Sequence, residues 1–131
     1  MNDPLNSLIR NFLSQKVFAL VGASRSGDSY GSKVMRHLLA KGYEVLPVHP
    51  EAEAIEGIPC APSLIALHKA VDGLILVVPP EQSEMLVRQA DVMGIRRIWM
   101  QPGAESEDAV EYCDERCLEL VHGGPCLLER A

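Results

Sequence analysis

Lys16-Val17-Phe18-Ala19-Leu20-Val21-Gly22-Ala23-Ser24-Arg25-Ser26-Gly27-Asp28-Ser29-Tyr30-Gly31 carries the strand, turn and helix start from which the fold is read. Val17 to Val21 is an unbroken apolar run, the pattern of a strand covered on both faces in a parallel sheet. Gly22 ends the run, and a loop of small and polar residues spans 23–29. Beyond it Val34, Met35, Leu38 and Leu39 recur at helical spacing. A helix is therefore predicted over 30–41, ended by Gly42.

The same alternation continues on both sides. Leu8, Ile9 and Phe12 share one face of a predicted N-terminal helix over 5–14. Tyr43 to Val48 is the second strand, and Pro47 inside it places the segment at an edge or at the end of a ladder. Gly57 to Cys60 is a short extended piece. A brief helix over 64–69 follows, with Ser63 as its cap. Gly73 to Val78 is the clearest strand, stopped by Pro79-Pro80. Then come a helix over 81–93, a strand over 97–100 with the turn Gln101-Pro102-Gly103, an acidic-headed helix over 105–116 and a strand over 118–121. Acidic residues in a first turn suit the helix dipole. Strands alternating with helices over short connections give an α/β fold, with a mainly parallel five-stranded sheet between two helix layers. No linker or repeat interrupts 1–131, so one domain is expected, with the N-terminal helix inside 1–15.

Composition narrows the function. The 131 residues hold 18 Asp and Glu against 12 Lys and Arg, a net charge of −6, with 47% apolar and 23% charged residues. That is a globular composition. The net acidity argues against a nucleic-acid binder, which needs concentrated positive charge. Apolar runs such as Leu74 to Val78 fall far short of the roughly 20 residues of a membrane span. The start, Met1-Asn2-Asp3-Pro4, lacks a basic, apolar leader, so a cytoplasmic protein is expected. The four cysteines form no Cys-x-x-Cys pair. Cys113 and Cys117, four apart, are expected on one buried helix face. Histidines 37, 49, 68 and 122 show no paired ligand spacing, and His37 is expected on an exposed helix face.

In such sheets ligands bind beyond the carboxyl ends of the strands, where the strand order reverses. The first loop offers backbone amides, a helix N-terminus, the hydroxyls of Ser24 and Ser26 and the charge of Arg25, which together suit a phosphate. Its glycines, at 22, 27 and 31, miss the Gly-x-Gly-x-x-Gly spacing. After the second strand His49-Pro50 stands where a ribose-binding acid would be, which weakens an NAD reading. Gly22 to Ser29 nearly spells a P-loop, but Asp28 holds the lysine position. Ser24 lacks the second glycine of a nucleophile elbow. His49 and His122, at strand ends, are ligand contacts or structural residues rather than bases. Cys126, after Gly123-Gly124-Pro125, is either a small buried residue or a thiol turned to the crevice.

Val21-Gly22-Ala23-Ser24-Arg25, Val48-His49-Pro50, Pro62-Ser63-Leu64, Val71-Asp72 and Trp99-Met100-Gln101-x-Gly103 occur in the order seen in small CoA-binding proteins. From about Lys16 to Glu129 the chain resembles stand-alone bacterial CoA-binding proteins. It is also similar to the CoA-binding domains of the succinyl-CoA synthetase α subunit and of ADP-forming acetyl-CoA synthetases. The resemblance implies a Rossmann-like domain binding coenzyme A or an acyl-CoA. It puts the pyrophosphate on Gly22, Ala23, Ser24 and Arg25, where the Ser26 hydroxyl is the neighbouring donor already named, and the adenosine beside Val48, His49 and Pro50. Val78, Pro79 and Pro80 would pack on adenine or ribose, and Gln101 and Gly103 would line the pantetheine path. His49 replaces the family's usual Asn, which puts there a side chain type that ordinarily titrates near a pKa of about 6.5. Gly124-Pro125-Cys126 stands where the stand-alone proteins often have Asp-Arg-Cys.

The expected function is thus a non-catalytic binding protein for a small molecule. The alternatives are an NAD(H)-binding domain and a non-catalytic subunit that completes an acyl-CoA synthetase in trans. Apolar surface left open around Leu5, Leu8 and Ile9 would favour such a partner or a homodimer.

Overall fold

The computed structural model describes residues 3–131; Met1 and Asn2, ahead of the expected N-terminal helix, lie outside it. Five strands form one sheet in the order β2-β1-β5-β6-β7: β1 Val17–Val21, β2 Glu44–Val48, β5 Gly73–Leu76, β6 Arg97–Met100 and β7 Glu119–Val121. Every pairing is parallel, so "mainly parallel" becomes wholly parallel. A small antiparallel hairpin, β3 Ala54–Ile55 with β4 Ile58–Pro59, lies between β2 and β5 in the chain. The extended piece around Gly57 belongs to this hairpin.

The layers follow from the strand period of two. Phe18, Leu20, Ile75, Trp99 and Val121 face one way. There they meet Ile9 and Phe12 of α1 (Pro4–Leu13), Val34, Met35 and Leu38 of α2 (Tyr30–Ala40) and Leu127 of α5 (Leu127–Arg130). Ala19, Leu74, Leu76, Ile98 and Met100 face the other way, onto Leu86, Val87 and Ala90 of α3 (Pro80–Val92) and Ala109 and Cys113 of α4 (Glu107–Glu115). Both faces are covered, which is why these strands read as continuous apolar runs.

Several expectations shift at the edges. Ile9 is buried in the core, and Leu5 and Leu8 are half-buried against it, with Leu8 also at the edge of a surface groove, so they do not form a wide open apolar face. Phe12 stacks on Phe18 at 4.6 Å, and a Cβ on Gly73 would lie 2.9 Å from its ring. Pro47 directs its missing N–H away from β1, because Glu44, three residues earlier, donates to Lys16 on that side. Its carbonyl instead accepts from Ala61, which bridges beside Val48 at the sheet edge. The helix expected over 64–69 is a 3₁₀ turn, Leu64–Ala66, and Ser63 makes no side-chain cap. The short α5 carries no periodic signal in its 4 residues. Cys113 is buried, and burial pushes its thiol up to about 12. Cys117 is exposed at φ +57, because α4 ends before the next turn could carry it into the core.

Asp91 latches the second helix layer. It accepts from Tyr112 at 2.7 Å and Arg116 at 2.9 Å, both in or beside α4, and from Arg96 at 3.2 Å. The Tyr112 bond first, then the Arg116 bond, hold its carboxyl below the usual range against the opposing effect of burial. A depressed folded pKa gives stability that is present above the ordinary carboxylate value of about 3.9 and lost as pH falls through the folded value. Urea midpoints measured across that acid range should therefore fall more steeply for the native chain than for Asp91→Asn. Parallel curves would mean that the latch contributes nothing.

Candidate functional site

The strand order reverses between β1 and β5, since the chain crosses from β1 to β2 on one side and later returns to β5 on the other. The crevice therefore opens at the ends of these two strands. Gly22 leaves β1 at φ +126, and a Cβ there would sit 2.1 Å from the Val77 carbonyl oxygen just beyond β5. A Cβ on Gly31 would sit 2.3 Å from the Gly22 oxygen. Both contacts are with backbone, so the turn, the strand end and the first turn of α2 close together only because neither residue has a side chain.

Serines set the loop. Ser29 caps α2, accepting from the Ser32 amide at 3.1 Å. Ser32 is fully buried; its hydroxyl accepts from the Ser24 amide at 2.9 Å and donates to the Ser24 carbonyl at 3.1 Å. The Ser24 and Ser26 hydroxyls lie 3.1 Å apart. The amides of Gly27 and Asp28 bond within the loop. Those of Ala23, Arg25 and Ser26 make no hydrogen bond among the described residues. Arg25 is exposed, as is Lys33 in the first turn of α2. Arg36 reaches back to the Gly27 carbonyl at 2.9 Å and to Glu56 in the β3–β4 turn at 3.0 Å, tying loop to hairpin. Unpaired amides, a capped helix N-terminus and exposed cations form an anion-binding arrangement.

Val48 is buried at the end of β2. His49 turns its Nδ1 onto the amides of Glu51 and Ala52, at 3.0 and 2.9 Å. With Nδ1 accepting, the neutral ring carries its proton on Nε2, which alone is left for a ligand. Pro50 is exposed beside it. Across the switch point Val78 is buried, while Pro79 and Pro80 are exposed where α3 begins. Gln101 is fully buried at the end of β6. Its Oε1 accepts from the Tyr30 hydroxyl at 3.2 Å and from the Leu127 amide at 3.1 Å. The Tyr30 hydroxyl also meets the Cys126 thiol. Gly103 is exposed at φ +97, its amide on Glu105 at 2.8 Å.

The structure thus brings the first loop, Val78 to Pro80 and the Tyr30–Gln101 pair to the strand ends. Sequence reasoning missed Ser32 and Tyr30, and read Arg36, like Lys33, as solvated surface or a phosphate aid rather than as the tie from the loop to Glu56. Ser29 just ahead of the helical spacing is an N-cap signal that the sequence does carry; the long-range partners of Arg36 and Tyr30 leave no such signal. His37 is half-buried, its Nε2 3.0 Å from the Ala131 carbonyl oxygen. A separate groove of about 890 Å³ runs beside β7 and α4. Glu105, Glu107, Glu111, Asp114 and Glu119 line it, which makes it hostile to a phosphate. Among the described residues no helix is long and apolar enough to cross a membrane.

Comparison with known proteins bears on the family and the fold. Residues 16–130 match the family model described as a CoA binding domain. The chain is similar to an ADP-forming acetate–CoA ligase of Archaeoglobus fulgidus, 29% identical over 88% of this chain but only 18% of the ligase. It is also similar to an uncharacterized protein, YneT, of Bacillus subtilis, 27% identical over 93% of this chain and 97% of that one. Among solved structures, a hypothetical protein from Pyrococcus horikoshii is 32% identical with a TM-score of 0.89, over 95% of this chain and 88% of that chain. The sheet order, the glycine-dependent closure at the end of β1 and a family match across nearly the whole sequence lead to one conclusion: this chain belongs to the CoA-binding domain family.

Proposed function

We propose that the chain is a non-catalytic binding module for coenzyme A or an acyl-CoA, held across the strand ends. The β1–α2 turn carries this reading, since the amides of Ala23, Arg25 and Ser26, with no hydrogen-bond partner among the described residues, lie just ahead of the N-terminus of an 11-residue helix. They suit a pyrophosphate, and Arg25 adds charge from solvent. Val48, His49 and Pro50 on one side and Val78, Pro79 and Pro80 on the other give walls for the adenosine. Gln101 and Gly103 follow on the pantetheine side. The stand-alone form is supported by YneT, which this chain matches over 97% of its length.

Calorimetric titration with CoA, NAD and ATP tests the reading. CoA should bind with one site per chain; binding of NAD with no response to CoA at millimolar concentration would overturn it. Arg25→Ala should weaken CoA about tenfold, the size of one charge-assisted phosphate contact. The loss should shrink at high salt, where exposed charges are screened. Service as a subunit that completes a synthetase in trans is a second reading, favoured by the 18% span of the archaeal ligase. It requires co-elution with a protein carrying the remaining domains.

A further inference from the structure

The Tyr30–Gln101–Cys126 cluster has no part in holding a diphosphate, yet it is built. Leu127 can only donate its amide, so the Gln101 oxygen must face it, which fixes the carboxamide orientation. The Nε2 donor of the same group then lies in the cluster, buried, with no hydrogen-bond partner among the described residues. An unpaired buried donor is costly and suits a ligand acceptor. The pantetheine arm of CoA carries amide carbonyls near its thiol.

Resting on the CoA reading above, we propose that Cys126 is a thiol-exchange site at the pantetheine end of the ligand, where it forms a mixed disulfide with CoA. The co-reactant is the symmetrical disulfide of CoA. Cys126 Sγ attacks one of its sulfurs, the sulfur–sulfur bond breaks, and a Cys126–CoA disulfide forms. The second CoA leaves as thiolate and takes up the proton that Cys126 gave up. One disulfide is consumed and one is made. Tyr30 assists by position. Its hydroxyl donates to Gln101 and touches the thiol, and turning the O–H towards sulfur gives the thiolate a donor while Leu127 still serves the Gln101 oxygen. Burial first, then the Cys126 contact, push the Tyr30 phenol above its ordinary range, so it keeps the proton it donates.

The other thiols provide the contrast. Cys113 is buried, Cys60 is half-buried with its thiol pushed up by burial, and Cys117 is exposed on the far end of α4. Full-length protein is incubated with CoA disulfide or with hydroxyethyl disulfide and followed by intact mass and peptide mapping. CoA disulfide should add one CoA, on Cys126, reversed by dithiothreitol, absent in Cys126→Ser and retained in Cys117→Ser. Its reaction at Cys126 should be at least about tenfold faster than that of hydroxyethyl disulfide, because binding raises its local concentration. A CoA adduct on Cys117, or equal rates at Cys126 with both disulfides, would overturn the proposal. So would the absence of an adduct while calorimetry shows CoA bound, and that result leaves the binding reading standing. No adduct together with no CoA binding overturns both.

Discussion

Gly22→Ala is expected to destabilise the protein by about 3 kcal/mol or more and to abolish ligand binding in whatever fraction stays folded. The added Cβ would lie 2.1 Å from the Val77 carbonyl oxygen, 2.7 Å from its carbon and 2.9 Å from its Cβ. Two of these are backbone atoms of the segment leaving the central strand β5, so no rotamer change relieves the clash. The turn must open, and the unpaired amides of Ala23, Arg25 and Ser26 are displaced with it. A control isolates the steric part. Gly94 also has positive φ, +84, but a Cβ added there would meet nothing within 4 Å. Gly94→Ala should therefore show only the conformational penalty of about 1–2 kcal/mol. At this chain length the difference between the two variants should lower the melting temperature of Gly22→Ala by roughly 5 °C or more relative to Gly94→Ala. Equal melting temperatures would show that β1 and β5 do not close as described.

Trp99→Ala should cost about 3–5 kcal/mol, the range for deleting a large buried aromatic side chain. Trp99 is fully buried in β6, and Phe12 of α1 meets its ring edge-on at 5.3 Å. Its indole N–H donates to the Pro125 carbonyl at 3.0 Å, which pins the segment just before Cys126. Denaturant midpoints should drop with little change in slope. Trp99→Phe separates the two roles: it keeps most of the ring volume and loses the bond, so its stability cost should be smaller while the Cys126 segment is still released. A Trp99→Ala cost below about 1 kcal/mol would contradict the packing. Against a total stability of about 5–15 kcal/mol, either Gly22→Ala or Trp99→Ala removes a substantial share.

How much of the site is legible in the sequence depends on how local each signal is. The β1–α2 turn is readable because it lies within one strand–loop–helix unit: apolar run, Gly22, small polar residues, then helical spacing from Val34 onward. Ser29 as the cap of α2 is equally local. The hairpin of Ala54–Ile55 with Ile58–Pro59 is only half visible, because strands of 2 residues carry too little period to identify. Cys117 departs from its expected buried face because helical spacing holds only while the helix lasts, and α4 stops at Glu115. Leu5, Leu8 and Ile9 are an open question in sequence, since an amphipathic stripe does not say what covers it. The sheet face beside Phe18 and Trp99 answers it.

From its sequence alone the chain specified a parallel α/β sheet, the strand whose end carries the candidate site, and the glycine-and-serine turn that suits an anion. Strand period, capping and glycine geometry all act over a few residues. Tertiary structure decided that Gly22 abuts Val77, that Arg36 joins the loop to Glu56, and that Tyr30, Gln101 and Cys126 meet. Such contacts bring together residues 20 to 96 apart in the chain, and only the order in which the strands lie side by side selects them.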